Sequence, residues 1–250
     1  MYQRLESWVL LALAALQPLA GRLAQITGRG ASIEQRADAA RGPVTPAKSA
    51  FAIWGALFAG NLALAVRSFF RGCREGPANK WIAWLSSTAF AGNTAWSLQA
   101  QFAGLGWPSF GIISASAAAA NAATILASRA DEPSGFARFA ANTMGPLAGW
   151  LTVATFANLD STLIATGGRA SRADASRRAV ALVGAASLTA AGMAVATRGN
   201  LGYAAASAWG LGGVLLRNQQ EARPAVARVA AAGLCTVALA TLWSRRRSRT

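Results

Sequence analysis

Residues 50–66, AFAIWGALFAGNLALAV, run for seventeen positions without a formal charge and are closed by Arg67. A helix that crosses a bilayer needs about 20 mostly apolar residues. Lipid offers no partner for open backbone groups, so only a helix or a closed barrel satisfies every N–H and C=O there. With its flanks the stretch forms one apolar segment, Ala50 to Phe70. Outward from it lie seven more: Trp8–Leu23 before it, then Trp81–Ala103, Trp107–Ala127, Phe139–Thr166, Ala179–Thr197, Leu201–Leu216 and Ala225–Trp243. The pattern predicts an all-α fold, a polytopic transmembrane helix bundle of about eight spans. The first segment, interrupted by Gln17 and Pro18 and weakly charged before it, reads as a retained helix rather than a leader.

Composition points the same way. Charged residues make up 13% of the 250 and hydrophobic ones 54%, whereas soluble domains carry about 25% charged. A soluble reading would have to bury nearly every segment in a single core. The polar stretch Gly167–Arg178 divides the chain into residues 1–167, with five segments, and 168–250, with three more and a basic tail. A second polar stretch, Gln25–Ser49, is long for a connection in a bundle, and such a length marks either function or disorder.

The formal net charge is +15, but the arginines sit at segment ends, as at Arg67, Arg71 and Arg74, Arg177 and Arg178, and Arg245–Arg249. Basic groups so placed meet anionic lipid headgroups and set topology. Aromatics do not alternate with them in a polar fold, so nucleic acid is not an expected partner. Basic residues divide evenly between the two faces of an eight-span arrangement, and the dense tail favours both termini in the cytoplasm. The chain has no histidine, which removes the commonest general base and metal ligand. Cys73 and Cys235 are far apart and suggest neither a disulfide framework nor a metal site.

Three segments carry aromatic and amide groups at helical spacing. Phe51, Trp54, Phe58 and Asn61 form one stripe, Asn93 and Trp96 a second, and Pro146, Trp150, Ala154 and Asn158 a third. An amide at lipid depth needs a partner, so these faces are expected to point inward. Together they predict a pocket of flat walls and few polar groups, suited to a planar, largely apolar ligand. Asn and Trp also serve plain helix packing, and Trp81, Trp84, Trp107 and Trp243, near segment ends, read as interfacial belt residues. Asp160 is the one acid well inside an apolar segment, though near enough its end to reach the interface. Phosphate loops, nucleophile elbows and metal-binding helix pairs are absent from the sequence.

At these stripes the sequence resembles the tryptophan-rich sensory protein family, also called the translocator or peripheral-type benzodiazepine receptor family. Val44-Thr-Pro-Ala-Lys-Ser-Ala-Phe-Ala-Ile-Trp-Gly-Ala-Leu-Phe58 is similar to its longer branch, which has Thr-Pro-Ala and Phe-x-Ile-Trp-Gly. Asn93-Thr-Ala-Trp96 resembles the family's Asn-x-x-Trp, and Pro146-Leu-Ala-Gly-Trp150 with Ala154 and Asn158 its fifth-helix motif. The resemblance covers roughly residues 8–167. Lys48 stands where many members have Trp, and Phe58 and Leu147 where they have Tyr.

The resemblance implies a five-helix bundle, often dimeric, with a cavity for porphyrins, sterols or related planar molecules. It implies Trp54, Asn93, Trp96, Trp150 and Asn158 as ligand-binding positions, to which the first stripe adds Phe58; with no histidine, neither a catalytic residue nor a metal site is expected. The expected function is therefore a non-enzymatic integral membrane receptor or carrier in a sensory or regulatory role. Its partners would be membrane lipids, a hydrophobic ligand such as a tetrapyrrole, and a second copy of the chain. The competing expectation, motivated by the three added helices, is a structural or assembly subunit of a larger photosynthetic or respiratory complex. The host membrane would be a bacterial inner membrane or an organellar or photosynthetic one.

Overall fold

Apolar sequence at lipid depth leaves the backbone no outside partner, and the chain answers with helices along almost all of its length. A computed structural model describes residues 5–40, 42–70, 77–130, 135–167 and 171–248. Arg71, Cys73, Arg74 and Arg249 lie outside the described residues. The helices are α1 Leu5–Gly21, α2 Leu23–Thr27, α3 Ile33–Ala40, α4 Ile53–Arg67, α5 Pro77–Phe102, α6 Trp107–Arg129, α7 Gly135–Thr166, α8 Arg172–Ala196, α9 Leu201–Gln220 and α10 Pro224–Arg247. A 3-10 turn, Lys48–Ala52, leads into α4. No strand occurs among the described residues.

The eight long helices coincide one for one with the eight apolar segments. Local chemistry fixes their starts. Ser171 Oγ accepts from Asp174 N–H (3.1 Å) to cap α8, Asn200 Oδ1 accepts from Tyr203 N–H (2.9 Å) to cap α9, and Pro224 opens α10. The connection Gln25–Ser49 is not one open loop. It holds the end of α2, then α3, and then residues 42–47, which are buried without a break.

Four helices are long and apolar enough to cross a membrane by length and composition: Lys48–Arg67, Trp107–Arg129, Ala173–Ala196 and Pro224–Arg247. Three of the others, α5, α7 and α9, have the length, at 26, 32 and 20 residues. Their composition is diluted by groups turned inward: Asn93 and Gln101 on α5, Asn158 and Asp160 on α7, Asn218 on α9. These polar residues all lie on interior faces of the bundle.

At the centre stands α7, about 48 Å long at helical rise, touching α3, α4, α5, α6, α8 and α9. Its approach to α9 depends on Gly145 and Gly149, spaced four apart on one face. A side chain at Gly149 would run into the carbonyl of Tyr203 and lie 2.9 Å from Ser207 Oγ. Small residues at this spacing let two backbones meet where lipid supplies no hydrophobic drive between helices. The contact is stitched by Tyr203 Oη donating to Thr152 Oγ1 (3.0 Å) and Asn200 Nδ2 donating to Ala141 O (2.7 Å). An apolar cluster including Leu57, Phe90, Phe136 and Leu151 fills the space among α1 and α4–α7. A second, including Val153, Val183, Leu211 and Val237, binds α7 to α8–α10 and takes in Val44 from the long connection.

Candidate functional site

The three stripes converge. Trp54 on α4, Trp96 on α5 and Trp150 on α7 meet around one internal space, with the Trp54 and Trp96 rings stacked at 6.5 Å between centroids. The Trp150 ring stands edge-on to Trp54 at 5.9 Å, and Phe51 meets Trp150 edge-on at 5.9 Å. Offset and edge-to-face arrangements are those the ring quadrupole favours. Trp96 and Trp150 are buried and Trp54 is half-buried.

Within this cage lies a cavity of about 50 Å³, whose walls include Trp54, Trp96, Trp150, Asn158, Thr45 and Pro46. Of its polar side chains, Asn158 and Ser161 are hydrogen-bonded within the protein and four others are not. Nε1 of Trp54, Trp96 and Trp150 and Oγ1 of Thr45 are buried and make no hydrogen bond among the described residues. Asn158 Oδ1 accepts from Ser109 Oγ (3.0 Å), which turns α6 toward the same space. Buried polar atoms are nearly always paired, which makes three unpaired indole N–H groups in one cluster unusual.

Beside the cavity, and sharing Ile33, Phe51 and Trp54 with it as a common wall, runs a groove of about 580 Å³. Leu19 and Phe58 add apolar surface to it, and Arg22 and Glu34 add charge. The Phe58 ring stacks on Trp54 at 5.4 Å. Of the six predicted positions, Trp54, Trp96, Trp150 and Asn158 border the cavity, and Phe58 borders the groove instead. Asn93 borders neither. Its Nδ2 donates to Gln17 Oε1 (2.9 Å), to which Asn61 Nδ2 also donates (3.1 Å). All three amides are buried, tying α1, α4 and α5 together.

A further wall of the cavity is the strip from Gly42 to Phe51, beside Ile33 and Leu105. Buried non-helical backbone needs partners for its own polar groups, and they come from α7 and α9. Asn218 Nδ2 donates to Pro43 O (2.7 Å), Ala47 N–H to Gly213 O (2.9 Å) and Trp209 Nε1 to Ala50 O (2.8 Å). Val44 N–H donates to Asp160 Oδ2 (3.3 Å). Asp160 is enclosed by protein rather than exposed at its surface. It is fully buried, and Oδ1 accepts from Arg178 Nε of α8 at 2.9 Å. Sequence reading overlooked Thr45 and Pro46 as wall residues, because nothing in their spacing is periodic. The signal available was a Pro-rich run immediately before an aromatic stripe.

A family model described as TSPO-like protein matches residues 7–243. The match therefore runs through all eight long helices, beyond the five over which the resemblance was drawn. No curated protein and no solved structure is significantly similar to the chain. With nearly its whole length matched, the chain is a membrane protein that belongs to the TSPO-like protein family.

Proposed function

We propose that the protein is a non-enzymatic membrane receptor or carrier that binds a hydrophobic planar ligand, tetrapyrrole-like or sterol-like, against Trp54. The observation that carries this reading is the convergence of three indoles whose N–H groups are buried and unpaired. Flat aromatic walls suit a flat ligand, and unpaired donors suit one with acceptor atoms at its edge. Size decides where the body of the ligand rests. Ligand sites of this kind enclose about 300–1,000 Å³. The groove of about 580 Å³ falls in that range and the cavity of about 50 Å³ does not. The ligand body lies in the groove over Phe51, Trp54 and Phe58, and an acceptor-bearing edge reaches past Trp54 to the other indoles. Indole, amide and hydroxyl groups bind and orient a ligand but do not exchange protons near neutral pH, which favours binding over turnover.

The test is a titration of tryptophan fluorescence with protoporphyrin in detergent or nanodiscs. Saturable quenching is expected in the unmodified protein. Trp54→Ala is expected to weaken binding at least about tenfold, equivalent to about 1.4 kcal/mol. Quenching that never saturates, or that is identical in the variant, removes the proposal.

A further inference from the structure

The cavity of about 50 Å³ holds a few water-sized groups but not the body of a planar ligand, so deeper entry requires one of its walls to move. Its walls include faces of the helices α4, α5 and α7, with Ile33 of α3 and Leu105 of the α5–α6 connection. Another is the strip from Gly42 to Phe51, which contributes Thr45, Pro46 and Phe51 to the lining and has no helical ladder through residues 42–47. Besides the packing of Val44 and Ala50 in the two apolar clusters, four hydrogen bonds hold it to the helices. They are Asn218 to Pro43 O, Gly213 O to Ala47 N–H, Trp209 to Ala50 O, and Asp160 to Val44 N–H.

Three of these four come from α9, at Trp209, Gly213 and Asn218. Gly213 is small for a reason that can be read directly. A Cβ placed there would lie 2.7 Å from Ala50 Cβ and 2.9 Å from Pro46 Cβ. The fourth attachment, Asp160, is itself held by Arg178 of α8. Every one of these hydrogen bonds from outside α7 thus originates in the last three helices, none of which lines the cavity or the groove.

We infer that Trp209, Gly213 and Asn218 of α9, backed by the Asp160–Arg178 pair, form a latch that positions the Gly42–Phe51 wall and controls access to the tryptophan cavity. Latched, the wall limits the cavity to its small volume. Unlatched, it swings from α9 and joins cavity and groove into one site. The purpose of this device rests on the ligand-binding reading, but its existence can be tested without any ligand.

The test uses the full chain in detergent with Cys73→Ser, Cys235→Ser and Thr45→Cys, so that the only thiol sits in the buried wall. The rate of maleimide labelling reports how often the wall opens. Three latch variants are compared in this background: Gly213→Ala, which wedges the contact, and Asn218→Ala and Trp209→Phe, which each delete one donor. Labelling at least about fivefold faster in the two donor deletions, with helical content unchanged, is the expected result. Gly213→Ala should be faster still, and if it fails to fold, the two deletions decide alone. Equal rates in the parent and both deletions overturn the inference. Protoporphyrin titration of the same proteins separates the two readings. Faster labelling without saturable binding removes the ligand and keeps the latch, and saturable binding with unchanged labelling does the reverse.

Discussion

Trp150 is buried to 2% exposure, yet its indole N–H meets no acceptor. Phenylalanine at this position keeps one aromatic ring and gives up the rest of the indole with its N–H, a partial core truncation that costs about 1.5 kcal/mol. Trp150→Phe should therefore leave thermal stability within that margin while weakening protoporphyrin binding about tenfold. A large loss of stability with unaltered binding would assign the indole to packing. Gln17 makes the opposite case. Read along the chain it interrupts the first apolar segment, but in the bundle its Oε1 accepts from both Asn61 and Asn93. Gln17→Leu would strand two buried donors, each worth about 1–3 kcal/mol unpaired. The expected result is a clear drop in the detergent melting temperature with little change in ligand affinity. Asn93 was legible as an inward amide but not as a structural one, because its partner lies 76 positions away and no periodicity connects them.

Helices were the most legible level. Length, apolar composition and end residues mark all eight long ones, since each must satisfy its own backbone. The short α3 and the buried strip after it were not legible, because tertiary partners rather than local pattern hold them in place. Residues 42–47 lack helical periodicity and borrow their hydrogen bonds from Asn218, Gly213 and Asp160, all distant in sequence. The close face of α7 was hidden differently. Gly145 and Gly149 bracket Pro146-Leu-Ala, where the eye goes to Trp150, and small pairs are common in so alanine-rich a chain. Structure makes them separable. Gly149→Val drives a side chain into the Tyr203 backbone, whereas Gly184 has open space around it. Overpacking typically costs about 1–3 kcal/mol, so Gly149→Val should lower the melting temperature substantially and Gly184→Val should not. Similar losses for both would mean that the α7–α9 contact is not tight.

Across the whole molecule, the last three helices are packed into the same body as the first five, through α9 on α7 and through the Asp160–Arg178 pair between α7 and α8. Removing one partner of a buried ion pair costs about 3–5 kcal/mol, and Arg178 is partly exposed, which places Arg178→Met at the lower end of that range. Chemical or thermal unfolding in nanodiscs measures the loss, and an unchanged transition would show that Asp160 needs no counter-charge. The competing role as an assembly subunit is addressed by native mass analysis after gentle extraction. Monomers or homodimers alone agree with the receptor reading, and a stable complex with other chains would replace it.

The central claim is that indoles from α4, α5 and α7 share one internal site whose movable wall is held by α9. Its most direct test is an experimental structure of the protein in lipid nanodiscs with protoporphyrin added. The account predicts ligand density lying on Trp54 between Phe58 and the cavity, with the Gly42–Phe51 strip displaced from α9. Density bound elsewhere, or Trp54, Trp96 and Trp150 facing separate neighbours, would contradict it.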